Sequence, residues 1–390
     1  MKRFKKIILI VADSLGIGAA SDALLYGDLK TNTLGNIVKN YPDIKMPTLD
    51  KLGIRYFLGD KVTPKANLAR LTEISVGKDT LTGHFEMMGL KVDKPFPSFT
   101  DTGFPKELID ALEQFSGRKV IGNISASGTE IIKDLGMEQL LTGALIVYTS
   151  ADSVLQIAAN EEIIPLAELY KICEFARKIT IENPEWMVGR IIARPFVGNS
   201  VETFKRTTNR HDYALKPFSK TCLNVLSENG LDTIAVGKIN DIFDGYGITE
   251  YVRTTSNEDG MDKTIDYAKR DFNGLCFVNL VDFDALYGHR RDVLGYKAAI
   301  ERFDEKLGIL LEQIDSDTLV MVTADHGNDP THTGTDHTRE DVPLICYYKG
   351  INGKIMPVME SFTVISSTIL ENFGLEKVSK YPGFLKLLED

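Results

Sequence analysis

The chain has 390 residues, of which 43% are hydrophobic, and a formal charge of −10. That length exceeds what one hydrophobic core usually serves, so two domains are expected, and the apolar content is enough to fill both. The acidic balance excludes a general basic footprint for nucleic acid or an anionic membrane; an anionic substrate would need a local positive field from metal ions or clustered arginines.

No run of about 18 apolar residues occurs, so no membrane-spanning helix is expected. The four cysteines, at 173, 222, 276 and 346, show neither a Cys-x-x-Cys pair nor zinc spacing. They point to a reducing, cytoplasmic setting in which thiols pack as small apolar groups.

In chain order, the first predicted element is Lys6 to Ala12, whose basic approach imitates a secretory signal. The apolar run is short and Asp13 interrupts it, so a buried strand fits better. Next, SVGKDTLTGHFEMMGL at 75–90 reads as a glycine-flanked turn entering a helix. Thr80 and Thr82 both place a hydroxyl where backbone N–H groups and the helix dipole favour a phosphate. Either is a candidate nucleophile, and either could equally be a capping threonine.

Pro95, Pro97 and Pro105 on one side and Pro217 on the other bracket a segment with its own signals. Strands are predicted there at Ala144 to Thr149 and Val188 to Ala193, with a helix at Leu166 to Lys178. This predicts an inserted α+β cap domain at 97–217, leaving 1–96 and 218–390 as the core domain. Further strands are predicted at Leu231 to Val236, Leu275 to Val281 and Thr318 to Thr323, with helices at Met261 to Arg270 and Tyr296 to Leu311. Near-continuous Val, Ile and Leu in these strands suits a parallel sheet covered on both faces, hence an α/β doubly wound core.

Three predicted core strands lead into an acid: Asp13, Asp284 and Asp325. The carboxyl ends of strands in an open α/β sheet are where ligands bind, so the three should converge. Asp is also a common helix cap, which weakens the case for any one of them alone. Histidines at 289, 326, 332 and 337 lie close behind the acids, four of the six in the chain. Clustered carboxylates raise one another's pKa unless opposing charge is present, and two divalent cations would supply it. Mixed oxygen and imidazole donors suit Mn²⁺, Zn²⁺ or Fe²⁺ better than Ca²⁺, and the abundance of carboxylate favours Mn²⁺.

Seven stretches carry a resemblance: DSLGIG at 13–18, GKDTLTGHFEMMGL at 77–90, YTSADSVLQIAA at 148–159, GRIIARPFVG at 189–198, NRHDYALKP at 209–217, NLVDFDALYGHRRD at 279–292 and TADHGNDPTHTGTDHTRE at 323–340. With these the chain resembles the prokaryotic phosphopentomutases of the alkaline-phosphatase superfamily, over nearly its whole length. The resemblance implies an isomerase with an alkaline-phosphatase-like doubly wound core and an inserted cap, acting in nucleoside and pentose phosphate metabolism. Its substrate is a small phosphosugar, ribose or 2-deoxyribose 1-phosphate, converted to the 5-phosphate. A metal-dependent phosphomonoesterase on the same core is the alternative, and a cofactor-independent phosphoglycerate mutase has a related core with a different insert.

By the same resemblance, Asp13, Asp325 and His326 hold one metal and Asp284, His289 and His337 the other. Thr80 is the phosphorylated nucleophile, acting through a bisphosphorylated sugar intermediate, and a bisphosphorylated sugar such as glucose 1,6-bisphosphate is the primer. His332 and His84 are then not ligands. Asp152, Arg190 and Arg206 serve the sugar-phosphate end with Lys238 nearby, while His211 can be read simply as a packed histidine. Arginine forks suit phosphate, and a carboxylate can orient sugar hydroxyls.

Overall fold

The computed structural model describes residues 3–150 and 153–388. Its strands in chain order are β1 (Lys6–Ala12), β2 (Asn67–Leu71), β3 (Val120–Ser125), β4 (Leu145–Thr149), β5 (Val154–Asn160), β6 (Arg190–Val197), β7 (Lys205–Arg206), β8 (His211–Ala214), β9 (Asp232–Val236), β10 (Glu250–Val252), β11 (Gly274–Leu280), β12 (Thr318–Thr323) and β13 (Val342–Tyr347). The chain divides into two compact units, Met1–Lys94 with Pro217–Asp390, and Pro95–Lys216.

The first unit holds a seven-stranded sheet in the order β10-β9-β11-β1-β12-β13-β2. The first five of these run parallel. β13 and β2 close the far edge antiparallel. Every residue of β1, β11 and β12 is buried, which explains why these strands read as unbroken apolar runs and not as alternation. One group of helices includes Asn257–Lys269, which packs on β11 and β9, and Val293–Gln313 beside it. Another includes Cys222–Glu228, which packs on β9, together with Thr80–Met87 and Thr363–Asn372.

Two helices begin earlier than apolar periodicity predicts. Ser256 caps Asn257–Lys269 by accepting from Asp259 N, and Glu258 and Asp259 occupy its first turn. Asp292 caps Val293–Gln313 by accepting from Gly295 N. The first turn of Asn257–Lys269 is polar, and that of Val293–Gln313 is apolar but leaves Leu294 exposed, so caps mark these starts and core-facing periodicity does not.

The second unit carries a sheet in the order β3-β4-β5-β6-β7, with β8 also paired to β6. Leu145, Val147, Leu155, Ile157, Ile191 and Ala193 face the helices Lys106–Ser116 and Leu166–Glu182. Ile146, Tyr148, Ala158 and Phe196 face Ile131 and Ile132 of the helix Glu130–Thr142. The strand expected over Val188 to Ala193 is observed as Arg190–Val197, because Gly189 and Val188 belong to the approach after the short turn Pro184–Trp186.

Candidate metal centre and nucleophile

β1 lies between β11 and β12 in register, so the chain leaves all three at one end of the sheet. Asp13 follows β1 directly, Asp325 stands two residues beyond β12, and Asp284 sits in the single π-helical turn Phe283–Gly288 after β11. All three carboxylates are buried. His326 Nε2 stands 3.3 Å from Asp325 Oδ2 and 3.6 Å from Asp13 Oδ1. On the other side His337 Nε2 is 3.4 Å from Asp284 Oδ1, and His289 Nε2 is 3.1 Å from Asp284 Oδ2. The three imidazoles form a row, with ring centroids 4.6 Å apart for His289 and His337 and 4.1 Å for His326 and His337.

Donor atoms of Asp13, Asp325 and His326 lie within 4.8 Å of one another, as do those of Asp284, His326 and His337. His326 is therefore common to both groups, and His289 stands at the outer side of Asp284. His332 is elsewhere, its Nε2 3.5 Å from Asp28 Oδ1.

Burial, followed by the charges of Asp325 and Asp284, pushes the Asp13 carboxyl well above its usual range. Burial acts the same way on Asp284, but there the imidazoles of His337 and His289 outweigh it and hold the carboxyl well below. Asp325 is likewise held low against its burial, by His326 and His84. The cluster is short of positive charge, and its carboxylates compete for what the histidines provide.

Thr80 and Thr82, equivalent by spacing, differ in the structure. Asp79 caps the helix Thr80–Met87 through Thr82 N, and its other oxygen accepts from the Thr82 hydroxyl at 2.6 Å. Thr82 is fully buried in that arrangement. The Thr80 hydroxyl instead lies 3.2 Å from His326 Nε2. Gly83 allows the approach: a Cβ there would fall 2.3 Å from the carbonyl oxygen of Asp325.

Two asparagines that sequence reasoning missed support the acids. Asn279 Nδ2 donates to Asp13 Oδ2 at 2.8 Å, and Asn328 Nδ2 donates to Asp284 Oδ1 at 2.7 Å. Arg291, in the left-handed region at φ 54°, donates to Asn328 Oδ1 and to the carbonyls of Gly334, Asp329 and Asp336. Asn279 did leave a signal, a polar residue within the apolar run LCFVNL.

Of the expected sugar-phosphate residues, Lys238 follows β9 and its charge draws the Asp13 carboxyl down. Arg190 opens β6, its Nη1 3.7 Å from Asp212 Oδ2. Arg206 lies in the short strand β7, and Asp152 falls outside the described residues. Sequence reasoning missed Arg194 and Arg210, which with Arg206 line one pocket. His211 packs beside Tyr170 and Tyr213, with centroids 5.5 and 4.6 Å away.

A model of the Metalloenzyme superfamily matches residues 5–377. A phosphopentomutase of Agathobacter rectalis is 55% identical over 382 residues, 96% of each chain. One from Clostridium perfringens is 54% identical over the same share of both. The chain belongs to the phosphopentomutase family. Among solved structures, a Leishmania mexicana phosphoglycerate mutase shares the fold, with a TM-score of 0.51 at 14% identity over 98% of this chain and 97% of that one.

The donor set fits the divalent cations that such metalloenzymes use. Asp13 Oδ1, Asp325 Oδ2 and His337 Nε2 are buried without a hydrogen bond. Such atoms are costly to leave unmatched. His289 and His326 each turn Nδ1 to a backbone carbonyl, Thr335 O at 2.6 Å and Gly327 O at 3.0 Å. A carbonyl only accepts, so Nδ1 carries a proton, which leaves Nε2 as the atom that can ligate a cation, the orientation of a ligating histidine.

Proposed function

We propose that the chain interconverts ribose 1-phosphate and ribose 5-phosphate, and their 2-deoxy counterparts, through a phosphothreonine at Thr80. The observation that carries this reading is the position of the Thr80 hydroxyl, 3.2 Å from His326 Nε2 at the start of a helix and beside the cluster of acids and histidines. The relatives named phosphopentomutase supply the reaction class.

In this reading Asp13, Asp325 and His326 hold one cation and Asp284, His289 and His337 the other. When bound, the cations, Mn²⁺ by preference, supply positive charge that stabilises the transferring phosphoryl group. The dipole at the start of the Thr80 helix favours the same anion.

Phosphorylated Thr80 gives its phosphoryl group to the 5-hydroxyl of ribose 1-phosphate, which leaves Thr80 Oγ1 free and a sugar bisphosphate in place. The bisphosphate turns round, and Thr80 Oγ1 takes the phosphoryl group from the 1-position and releases ribose 5-phosphate. A bisphosphorylated sugar such as glucose 1,6-bisphosphate loads the threonine at the outset. Arg190 and Arg206 bind the phosphate that is not being transferred, Asp152 orients the sugar hydroxyls, and Lys238 is a further substrate-binding residue of this reading. The unit Pro95–Lys216 is the substrate-binding cap in this scheme. The four free, buried cysteines support a cytoplasmic location.

The test is turnover of ribose 1-phosphate with Mn²⁺ and primer, following ribose 5-phosphate and free phosphate together. Conversion with little free phosphate is expected. Phosphate released in step with substrate loss would replace this reading with a phosphomonoesterase.

A further inference from the structure

A chain of polar contacts runs from the Asp13 carboxylate to the backbone of Thr80. Asn279 and Asp13 come together because β1 and β11 pair in register, with Val11 opposite Asn279. Asn279 Nδ2 donates to Asp13 Oδ2 at 2.8 Å, and the same nitrogen lies 3.4 Å from His84 Nε2. His84 Nδ1 in turn is 2.8 Å from the carbonyl oxygen of Thr80. Asp13 and His84 are fully buried and Asn279 nearly so, so bulk water does not take the place of any link.

The proton positions follow from what each atom can do. A carboxylate accepts, so the amide nitrogen of Asn279 must face Asp13. The Thr80 carbonyl also only accepts, so His84 carries its proton on Nδ1, and Nε2 is left with a lone pair for the second N–H of Asn279. Asn279 Oδ1 has no hydrogen-bond partner, so the amide takes its orientation from Asp13 and His84 alone. The His84 ring also lies against Phe277, with centroids 5.7 Å apart, and Nδ1 is 3.3 Å from Asp325 Oδ2.

We infer that His84 and Asn279 are positioning residues: together they hold the Thr80 backbone at a fixed offset from Asp13 and Asp325, and so set where the Thr80 hydroxyl meets the transferring phosphoryl group. This rests on the reading of Thr80 as the nucleophile. Neither residue touches the substrate; each acts through the position of Thr80. A small displacement of a nucleophile costs far more rate than binding, because attack requires a narrow range of approach.

The experiment measures single-turnover phosphorylation of Thr80 by a bisphosphorylated sugar, read by intact mass, beside Mn²⁺ affinity from calorimetry and kcat and KM for turnover. His84→Leu should slow phosphorylation and kcat by about ten- to a hundredfold while KM and Mn²⁺ affinity stay close to wild type, and Asn279→Ala should slow both likewise and also weaken Mn²⁺ binding, because Asp13 loses its donor. His84→Asn keeps an N–H near the Nδ1 position and should recover most of the rate, whereas His84→Gln moves the donor outward and should not. This Asn and Gln pair carries the test if His84→Leu does not fold. Equal rates in the Asn and Gln variants, or a wild-type rate in His84→Leu, would overturn the inference alone. Wild-type protein that takes no phosphate on Thr80 would overturn the nucleophile reading, and this inference with it.

Discussion

Thr80 Oγ1 lies 3.2 Å from Nε2 of His326, the ring nitrogen opposite the Nδ1 that faces Gly327 O. The Thr80 hydroxyl is thus beside a ligating atom of the proposed cation site, while the Thr82 hydroxyl is tied to Asp79. Thr80→Ala should abolish phosphoenzyme and turnover and leave the fold unchanged. Thr82→Ala should keep measurable turnover and lose about 1 kcal/mol of stability with its buried hydrogen bond. Peptide mapping that finds the phosphate on Thr82 would reverse the assignment.

Removal of divalent cations should stop turnover, and Mn²⁺ should restore it. The donors are assembled only in the folded chain, so bound cations should also raise the melting temperature in proportion to the logarithm of their concentration. Full turnover in protein shown by elemental analysis to lack divalent metal would rule out the two-cation scheme.

Asn328 links Asp284 to Arg291, which also gathers the carbonyls of Gly288, Gly334, Asp329 and Asp336. Asn328→Ala leaves Asp284 Oδ1 without its donor and frees the Arg291 fork. Cation affinity should fall by about ten- to a hundredfold, as is usual when a partner that orients a ligand is lost. Calorimetry should show this as weakening of one of two sites; two sites at wild-type affinity would mean that Asn328 is not orienting Asp284.

The parts legible in the sequence are those fixed by local chemistry. β1, β11 and β12 are recognisable because both faces are covered, and Asp13, Asp284 and Asp325 because each closely follows such a strand. β13 and β2 are not, since Pro343 and Arg70 interrupt their apolar pattern at the antiparallel edge. The choice between Thr80 and Thr82 depends on which hydroxyl Asp79 bonds, and the roles of Asn279 and Asn328 depend on register between distant strands and loops. Spacing within the chain carries none of that. The same holds for Arg194 and Arg210, which reach the pocket of Arg206 through the pairing of β6 with β7 and β8.

Cys173, Cys222, Cys276 and Cys346 are buried, and burial pushes each thiol well up from its ordinary range. Thiolate is the reactive form, so none should react with a thiol reagent at about pH 8 in the native protein. All four should react once the chain is unfolded. Rapid labelling of one thiol under native conditions would show that its segment opens readily.

The last prediction concerns the partition between isomerisation and hydrolysis. In the proposed scheme both outcomes share the phosphorylated Thr80, and they differ in whether a sugar hydroxyl or water accepts the phosphoryl group. Water is far more concentrated than any substrate, so the sugar must be held long enough for its own hydroxyl to react. Arg190 and Arg206 lie on one face of the β6–β7–β8 sheet, where Arg194 and Arg210 add to the positive charge and Asp212 offsets part of it. Burial, and after it the neighbouring Arg210 charge, hold the Arg194 guanidinium below its usual range. Such a face favours a phosphate dianion. Arg190→Ala should cost about 1.5 to 3 kcal/mol in kcat/KM, the loss of one charge-assisted contact. With Arg206→Ala added, the ratio of free phosphate to ribose 5-phosphate should rise, because the sugar monophosphate is held less well beside phosphorylated Thr80 and water takes its place as acceptor. The measurement is that ratio at matched cation concentration. A ratio unchanged from wild type, with kcat/KM also unchanged, would return both arginines to the status of surface residues.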